Sequence, residues 1–279
     1  MTVLDIAKKL TEGGIDPDTA RFESRLLVSH IMKITPAQIL ADPGRDYDCE
    51  ELCAAVEKRA SRYPLQYIVG QWEFCGLPII VDENCLIPRP DTEITAERAI
   101  ELMPEGGRCL DLCTGSGCIA AAVLTYTADK HTSGYAVELC PETAALAEKN
   151  IAALGLAERC EVIIGDASED LFADRFPGEY FDVITANPPY IAEEEMPSLE
   201  AELAYEPKMA LTDGGDGLSL IRAIIEVYGR RLAPEGVMII EHGWKQHEAV
   251  AEIAKSCGMS CVRLTDFGGN VRAAEIRKN

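Results

Sequence analysis

Between Val3 and Ser61, apolar side chains recur every three or four positions, as they do on one face of a helix. One such set is Leu26, Leu27, His30, Ile31 and Ile34. Asp18 and Asp48 stand where helix N-caps are expected. We therefore predict a small helical domain over residues 1–62.

The pattern changes over the next stretch, where β-forming side chains are interrupted by Gly70, Gly76 and Pro78. These β-formers are Tyr67, Ile68, Val69, Trp72, Phe74, Ile79, Ile80 and Val81. The pattern predicts a β-hairpin linker over residues 63–90, and a second domain over residues 91–279.

In this second domain, helix-like segments alternate with short apolar segments. The predicted helices are Ile94–Leu102, Cys118–Tyr126, Pro141–Leu154, Leu218–Leu232 and Trp244–Cys257. The predicted strands are Arg108–Leu112, Gly134–Glu138, Cys160–Ile164, Phe181–Ala186 and Val237–Glu241. This βαβ alternation is typical of an α/β fold with a mostly parallel, Rossmann-like sheet covered by helices on both faces.

A glycine-containing loop follows the first of these strands and precedes a helix. Its residues are Cys113, Thr114, Gly115, Ser116 and Gly117. Such a loop lets the backbone approach a nucleotide-like ligand at a helix N-terminus. Residues 115–120 also satisfy the pattern G-x-G-x-x-A, so the loop alone does not separate a nicotinamide dinucleotide from S-adenosylmethionine, or either from a tight turn without a ligand.

Two acidic residues end the next two predicted strands. Glu138 follows the loop at the spacing of about 20 residues that lets a carboxylate accept hydrogen bonds from both hydroxyls of a ribose. Asp166 is placed to reach an adenine amino group. Taken alone, either residue is equally a solvated charge, a helix cap or part of a turn, and the interpretation as a cofactor site depends on their combination with the loop.

The segment Asn187-Pro188-Pro189-Tyr190 follows the strand Phe181–Ala186. Each proline holds the preceding residue extended and supplies no N–H. The Asn187 side-chain oxygen and the Pro188 carbonyl can then accept the two hydrogens of a planar NH2 group, while the Tyr190 ring packs on its flat face. Held in this way, an amide or exocyclic amine is prepared to attack a methyl sulfonium in line.

Together these motifs resemble the HemK/PrmC family, the protein-(glutamine-N5) methyltransferases that modify the Gly-Gly-Gln glutamine of peptide chain release factors. The resemblance covers almost the whole chain. Besides the loop and Asn187-Pro-Pro-Tyr-Ile191, it rests on Pro64-Leu-Gln-Tyr-Ile-Val-Gly70, Phe74, Leu86-Ile-Pro-Arg-Pro-Asp-Thr-Glu93, Tyr205-Glu-Pro207, Ala210-Leu211, Asp266-Phe-Gly268 and Arg272.

The resemblance implies a class I S-adenosylmethionine-dependent methyltransferase whose helical domain recognises the release factor. Residues 113–117, Glu138, Asp166, Ala167 and Asn187 would bind S-adenosylmethionine, residues 187–190 would hold the substrate glutamine, and Asn187, Pro188 and Tyr190 would be catalytic. Cys113 and Ala167 depart from the family pattern, which often has glycine at the first position and in some members an aromatic at the second. Cys113 should therefore adopt a backbone conformation that a Cβ tolerates. Arg89 is either a substrate anchor or a tie to a carboxylate, and Glu206 shares this ambiguity.

The composition argues against nucleic-acid binding, disulfides, a metal site and a membrane span. With 26 basic and 47 acidic side chains the formal net charge is -21, which disfavours direct binding to nucleic acid. The 11 Cys include no C-x-x-C pair and the 4 His no metal-ligand spacing, so we expect reduced thiols and no metal. The longest uncharged run is too polar to cross a membrane, and no export signal is visible. We expect a cytoplasmic protein, and a monomer.

Two other functions remain open at this point. An N6-adenine nucleic-acid methyltransferase shares the Asn-Pro-Pro-Tyr motif, although the acidic charge weighs against it. A noncatalytic cofactor-binding module is the other, and intact Asn187, Tyr190 and Glu138 weigh against that.

Overall fold

The computed structural model describes residues 1–47, 49–171, 180–266 and 268–279. Its helices are α1 (Val3–Glu12), α2 (Pro17–Met32), α3 (Pro36–Ala41), α4 (Glu50–Ala60), α5 (Leu65–Val69), α6 (Glu93–Leu102), α7 (Cys118–Tyr126), α8 (Pro141–Ala153), α9 (Lys208–Leu211), α10 (Ser219–Tyr228) and α11 (His247–Ser256). Its strands are β1 (Gln71–Phe74), β2 (Leu77–Ile80), β3 (Arg108–Leu112), β4 (Ser133–Glu138), β5 (Cys160–Ile164), β6 (Phe181–Ala186), β7 (Leu232–Glu241), β8 (Met259–Thr265) and β9 (Val271–Lys278). Short 3₁₀ helices include Pro90–Thr92 and Ala201–Tyr205.

The chain folds as two compact units, and the first contains Met1–Gln71 together with Glu200–Tyr205. Its core is formed by fully buried side chains of α1, α2 and α4, including Ile6, Leu10, Leu27 and Leu52. The helix α2 begins after Asp16, whose carboxylate accepts hydrogen bonds from the backbone N–H groups of residues 18 and 19. The expectation that Asp18 is the N-cap was therefore wrong, because Pro17 favours the first helical position and moves the cap one residue before it. Asp48 and Phe267 lie outside the described residues.

A buried ion-pair network joins the two stretches of chain that make up the first unit. The Arg59 guanidinium donates to both carboxylate oxygens of Glu23, with Nε–Oε2 and Nη2–Oε1 distances of 2.7 and 3.0 Å. Its Nη1 also donates to Glu202 Oε1 at 3.0 Å, and Arg62 Nη2 donates to Glu202 Oε2 at 2.6 Å. A buried guanidinium needs such partners, since an unpaired buried charge is strongly destabilising.

The second unit contains Trp72–Leu199 and Glu206–Asn279. Its sheet has seven strands in the order β5-β4-β3-β6-β7-β9-β8. The five neighbouring strands β5, β4, β3, β6 and β7 pair in parallel, and β9 pairs antiparallel with β7 and β8. This confirms the predicted α/β fold with a mostly parallel, Rossmann-like sheet. The strand order reverses at β3, because the chain adds β4 and β5 on one side of it and β6 and β7 on the other. Such a reversal in a parallel sheet opens a crevice at the carboxyl ends of the strands.

Some local predictions were wrong. Tyr67, Ile68 and Val69 belong to helix α5, which Gly70 ends in a left-handed conformation with a φ of 73°, and the hairpin starts only at β1. The strands β8 and β9 were missed, because charged residues such as Arg263 and Arg277 interrupt their apolar pattern. No helix among the described residues is long and apolar enough to cross a bilayer.

Candidate active site

A cavity of about 220 Å³ lies at the carboxyl ends of β3, β4, β5 and β6. Each of these four strands is followed by a loop that contributes to its wall, as expected for a ligand site of an open parallel sheet. The predicted site residues that line it are Cys113, Thr114, Gly115, Ser116, Glu138, Asp166, Ala167, Asn187 and Pro189. Among the described residues, the lining does not include Gly117, Pro188 or Tyr190.

The two glycines of the loop after β3 have different surroundings. Gly115 has a φ of 57°, and a Cβ added there would meet nothing within 4 Å, so its backbone borders open space. Gly117 caps α7 with a φ of 80°, and an added Cβ would lie 3.3 Å from the Ala147 Cβ of α8. Gly115 therefore leaves room for a ligand, whereas Gly117 allows α7 to pack closely on α8.

Cys113 has a φ of 57°, which is the left-handed region. We expected a backbone conformation that a Cβ tolerates, and Cys113 instead keeps the left-handed geometry that usually requires glycine, at a cost of about 1 to 2 kcal/mol. Burial raises the thiol pKa of Cys113 and of Cys118, and raises that of Cys85 to about 12. These cavity thiols therefore stay protonated and are poor nucleophiles.

Asp111 supports the loop from within β3. Its carboxylate accepts hydrogen bonds from Thr114 Oγ1 at 2.5 Å and from Thr185 Oγ1, on β6, at 2.7 Å. Burial raises the pKa of Asp111 to about 6, although both hydroxyls favour the charged form. This carboxylate holds Thr114 against the neighbouring strand.

Glu138 is the last residue of β4 and accepts backbone hydrogen bonds at both of its oxygens. Oε2 accepts from the N–H of Gly115 at 3.0 Å, and Oε1 accepts from Leu139 at 2.9 Å and Cys140 at 3.1 Å. The carboxylate is thus fixed at the cavity wall beside the glycine loop. Asp166 Oδ1 accepts from the N–H of Ser168 at 2.8 Å, which makes the turn that brings buried Ala167 to the cavity.

The segment after β6, residues 187–192, is neither helix nor strand, which agrees with two prolines that supply no backbone N–H. Asn187 Nδ2 donates to Thr92 Oγ1 at 3.3 Å, so its Oδ1 is the atom free to accept from a ligand. Tyr190 is not one of the residues that line the cavity, and its hydroxyl donates to Glu241 Oε1 at 3.0 Å. Burial, together with the Glu241 charge, raises the pKa of Tyr190, so the phenol stays protonated.

Comparison with known proteins gives matches over nearly the whole chain. Residues 4–70 match the model of the PrmC N-terminal domain, and residues 89–212 match that of conserved hypothetical protein 95. A release factor glutamine methyltransferase of Cereibacter sphaeroides is 39% identical over 96% of this chain and 94% of its own length. The protein of the same name from Geobacter sulfurreducens is 36% identical over 93% of this chain and 89% of its own.

The chain belongs to the release factor glutamine methyltransferase family. The family inferred from the motifs is thus confirmed. Among solved structures, the ribosomal protein L11 methylase of Lactobacillus delbrueckii subsp. bulgaricus has a TM-score of 0.49 and 20% identity, covering 70% of this chain and 82% of its own.

In this methyltransferase, the Ile-Pro-Arg-Pro motif contacts the segment before α9. Arg89 forms an ion pair with Glu206, whose side chain is 1% exposed, and Glu206 Oε2 also accepts from the N–H of Ile87 at 3.0 Å. Both residues hold this part of the cavity wall together, and Arg89 also lines the cavity.

Sequence reasoning missed three polar residues that position the site. Thr92 orients Asn187, Glu241 holds Tyr190, and buried Asn150 of α8 donates to the carbonyls of Ser116 at 2.8 Å and Ile80 at 2.9 Å. Thr92 lay within a motif that the sequence singled out, but Asn150 and Glu241 carried no local signal.

Among the described residues, no cluster of three or more His, Cys, Asp or Glu could hold a metal ion. His242 and His247 nevertheless lie in contact, with Nε2 of the first 3.3 Å from Nδ1 of the second.

The raised pKa of Asp111 predicts a pH effect on stability. The unfolded chain releases this proton near pH 4 and the folded protein only near pH 6, so wild-type stability should fall relative to Asp111→Asn as pH rises through this window. The expected change is about 3 kcal/mol. Urea unfolding of both proteins at several pH values measures it. Asp42→Asn, at an exposed position, is the control, and a difference that does not vary with pH for Asp111→Asn would contradict the prediction.

Proposed function

We propose that this protein transfers a methyl group from S-adenosylmethionine to the side-chain amide nitrogen, N5, of the glutamine in the Gly-Gly-Gln motif of peptide chain release factors. The observation that carries the proposal is the position of Asn187, whose Oδ1 is left as an acceptor at the wall of the cavity that also contains the glycine loop and Glu138. The curated relatives are named for glutamine methylation of release factors.

The cavity residues fit S-adenosylmethionine. Gly115 leaves open space where a side chain would intrude, and the fixed Glu138 carboxylate is suited to accept from ribose hydroxyls. Residues 113–116, Asp166, Ala167 and Asn187 line the same cavity and complete this cofactor site, and Gly117 supports it by letting α7 pack closely on α8. The cofactor supplies an electrophilic methyl group on a sulfonium. The acidic residues at the wall favour this positively charged group.

The protein positions the amide nitrogen rather than deprotonating it. Asn187 Oδ1 and the Pro188 carbonyl accept the two N–H hydrogens of the substrate glutamine, and Pro189 and the Tyr190 ring complete its binding site. Holding both hydrogens favours a tetrahedral nitrogen whose lone pair can attack in line. No base is needed before attack, because the methylated nitrogen readily loses its proton. The protonated thiols and the hydrogen-bonded Tyr190 hydroxyl agree with this scheme.

The first unit is the proposed recognition domain for the release factor. Leu4, Phe22 and Leu40 are exposed apolar side chains on a unit that has its own core, and such side chains are suited to contact a protein partner.

We further propose that the protein acts as a cytoplasmic monomer. The net charge of -21 argues against the alternative, an N6-adenine nucleic-acid methyltransferase.

Asn187→Ala should lower turnover by roughly 10²- to 10³-fold, because one positioned acceptor at the reacting nitrogen is lost. Asn187→Asp should retain more activity than Asn187→Ala, since one oxygen can still accept from the amide. Mass spectrometry of release-factor peptides, after single turnovers at saturating cofactor, measures the gain of one methyl on the Gly-Gly-Gln glutamine. DNA offered side by side tests the alternative. An alanine variant within about threefold of wild type would refute the mechanism.

Glu138→Ala should weaken S-adenosylmethionine binding at least about tenfold, because charge-assisted hydrogen bonds of roughly 1.5 to 3 kcal/mol each are lost. Calorimetric titration measures the dissociation constant. Glu142→Ala removes the same charge from an exposed position of α8 and serves as the control. An unchanged affinity for Glu138→Ala would remove this residue from the cofactor site.

Replacing Leu4 and Phe22 together by serine should raise KM for the intact release factor about tenfold or more, with KM for a short Gly-Gly-Gln peptide unchanged. Steady-state methylation kinetics with both substrates test this. Val262→Ser changes an exposed apolar residue of the second unit and is the matched control. Equal kinetics for wild type and the double variant would show that this surface does not recognise the release factor.

A further inference from the structure

One face of helix α8 carries three buried residues at helical spacing, Thr143, Ala147 and Asn150. Thr143 Oγ1 donates a hydrogen bond to the carbonyl of Asn84, in the segment that follows β2. Ala147 lies where Gly117 of the glycine loop packs on the helix. This face of α8 therefore contacts both the glycine loop and the segment after β2.

The Asn150 side chain is fully buried, and both of its polar atoms have hydrogen-bond partners. Oδ1 accepts from the N–H of Ile80 at 2.8 Å, while Nδ2 donates to the carbonyls of Ile80 at 2.9 Å and Ser116 at 2.8 Å. Because the N–H of Ile80 requires an acceptor, the NH2 group of the amide must face the two carbonyls. One side chain thus joins the end of β2 to the glycine loop.

Ser116 lies in the turn of the glycine loop, before α7 begins, between Gly115 and Gly117. A buried carbonyl in such a turn needs a partner outside regular secondary structure, and Asn150 supplies it. The N–H of the preceding residue, Gly115, is held from the other side by Glu138 Oε2 at 3.0 Å. The loop is therefore fixed at two consecutive residues, by a carboxylate from β4 and by an amide from α8.

The segment after β2 forms a second part of the cavity wall. Residues 84–86 line the cavity, and among the described residues the lining does not include Ile80 or Asn150. Asn150 holds the beginning of this segment, at Ile80, and Thr143 holds the part that lines the cavity. Two walls that are fixed before a ligand arrives lower the entropic cost of binding it.

We propose that Asn150 is a positioning residue for S-adenosylmethionine. By holding Ile80 and Ser116 with one amide, it keeps the wall after β2 and the glycine loop at the spacing that the cofactor needs. Asparagine suits this position because one acceptor and two donors are used there, whereas a carboxylate has no donor and an apolar side chain has neither. The inference rests on the proposed function in one respect, namely that this cavity binds S-adenosylmethionine.

Asn150→Asp tests the proposal with little change in shape. The carboxylate still accepts from the N–H of Ile80, but an oxygen now opposes the two carbonyls. We expect the S-adenosylmethionine dissociation constant to rise about tenfold in calorimetric titration. At saturating cofactor, kcat and KM for the release factor should stay within about twofold of wild type, because Asn187 is held by a different contact. An unchanged dissociation constant, or a tenfold fall in kcat at saturating cofactor, would overturn the proposal.

Ile151→Val is the matched control. Ile151 is the next residue of α8 and is 2% exposed, so its truncation loosens the packing of the same helix and leaves the side-chain hydrogen bonds to both walls in place. Thermal unfolding of both variants compares their stability, and the cofactor affinity of Ile151→Val should equal that of wild type. A loss of affinity as large as that of Asn150→Asp would show that general loosening of α8 explains the effect, and would refute the proposal.

Hydrogen exchange in the wild-type protein decides the question if Asn150→Asp does not fold. S-adenosylmethionine should slow exchange of the Ile80 N–H about tenfold, because a bound cofactor stabilises the loop to which Asn150 ties this residue. The control is the N–H of Cys75, which Glu93 Oε1 accepts at 2.8 Å, and its exchange should change less than about twofold. No slowing at Ile80, or equal slowing at both amides, would overturn the proposal.

These measurements also separate the failure of this inference from that of the proposed function. A wild-type protein that does not bind S-adenosylmethionine would refute both. A wild type that binds it, and loses affinity as expected in Asn150→Asp, but leaves the release factor unmethylated would refute the proposed function alone. An active wild type whose cofactor affinity is unchanged by Asn150→Asp would refute this inference alone.

Discussion

The parallel pairing of β3 with both β4 and β6 is the constraint on which the candidate site depends. Because the three strands run the same way, the residues that follow them meet at one edge of the sheet. Cys113, Glu138 and Asn187 are far apart in the sequence, yet all three line one cavity there. The site is therefore made by the register of the sheet, and the loops only complete it.

Two buried carboxylates near the ends of central strands give this edge its fixed geometry. Asp111 receives threonine hydroxyls from the loop after β3 and from β6, and Glu241 receives the hydroxyl of Tyr190. Burying each one has an energetic cost, seen in the raised pKa of both groups. Each carboxylate orients the hydrogen of the hydroxyl groups that donate to it, which an apolar side chain could not do.

The parts of the fold that depend on local pattern could be predicted from the sequence. The strands Arg108–Leu112 and Phe181–Ala186 and the helix Cys118–Tyr126 have the predicted bounds, because each is a short apolar run with clear breaks on both sides. Contacts between distant residues could not be predicted in this way. Glu241 ends a predicted strand, and the sequence alone does not distinguish it from other acidic residues at strand ends. Its contacts are with β9 and with the segment after β6, which are distant from it in the sequence.

The first unit is assembled from two separate stretches of chain, since Glu200–Tyr205 belongs to it and supplies Glu202 to the buried Arg59. A gene fragment that ends at residue 71 would therefore encode an incomplete folding module with a missing counter-ion. Any chimera that exchanges the first unit between relatives must exchange residues 200–205 as well. The chain segment between the two parts of the second unit thus belongs to the first unit, and Glu202 and Arg59 are expected to change together in evolution.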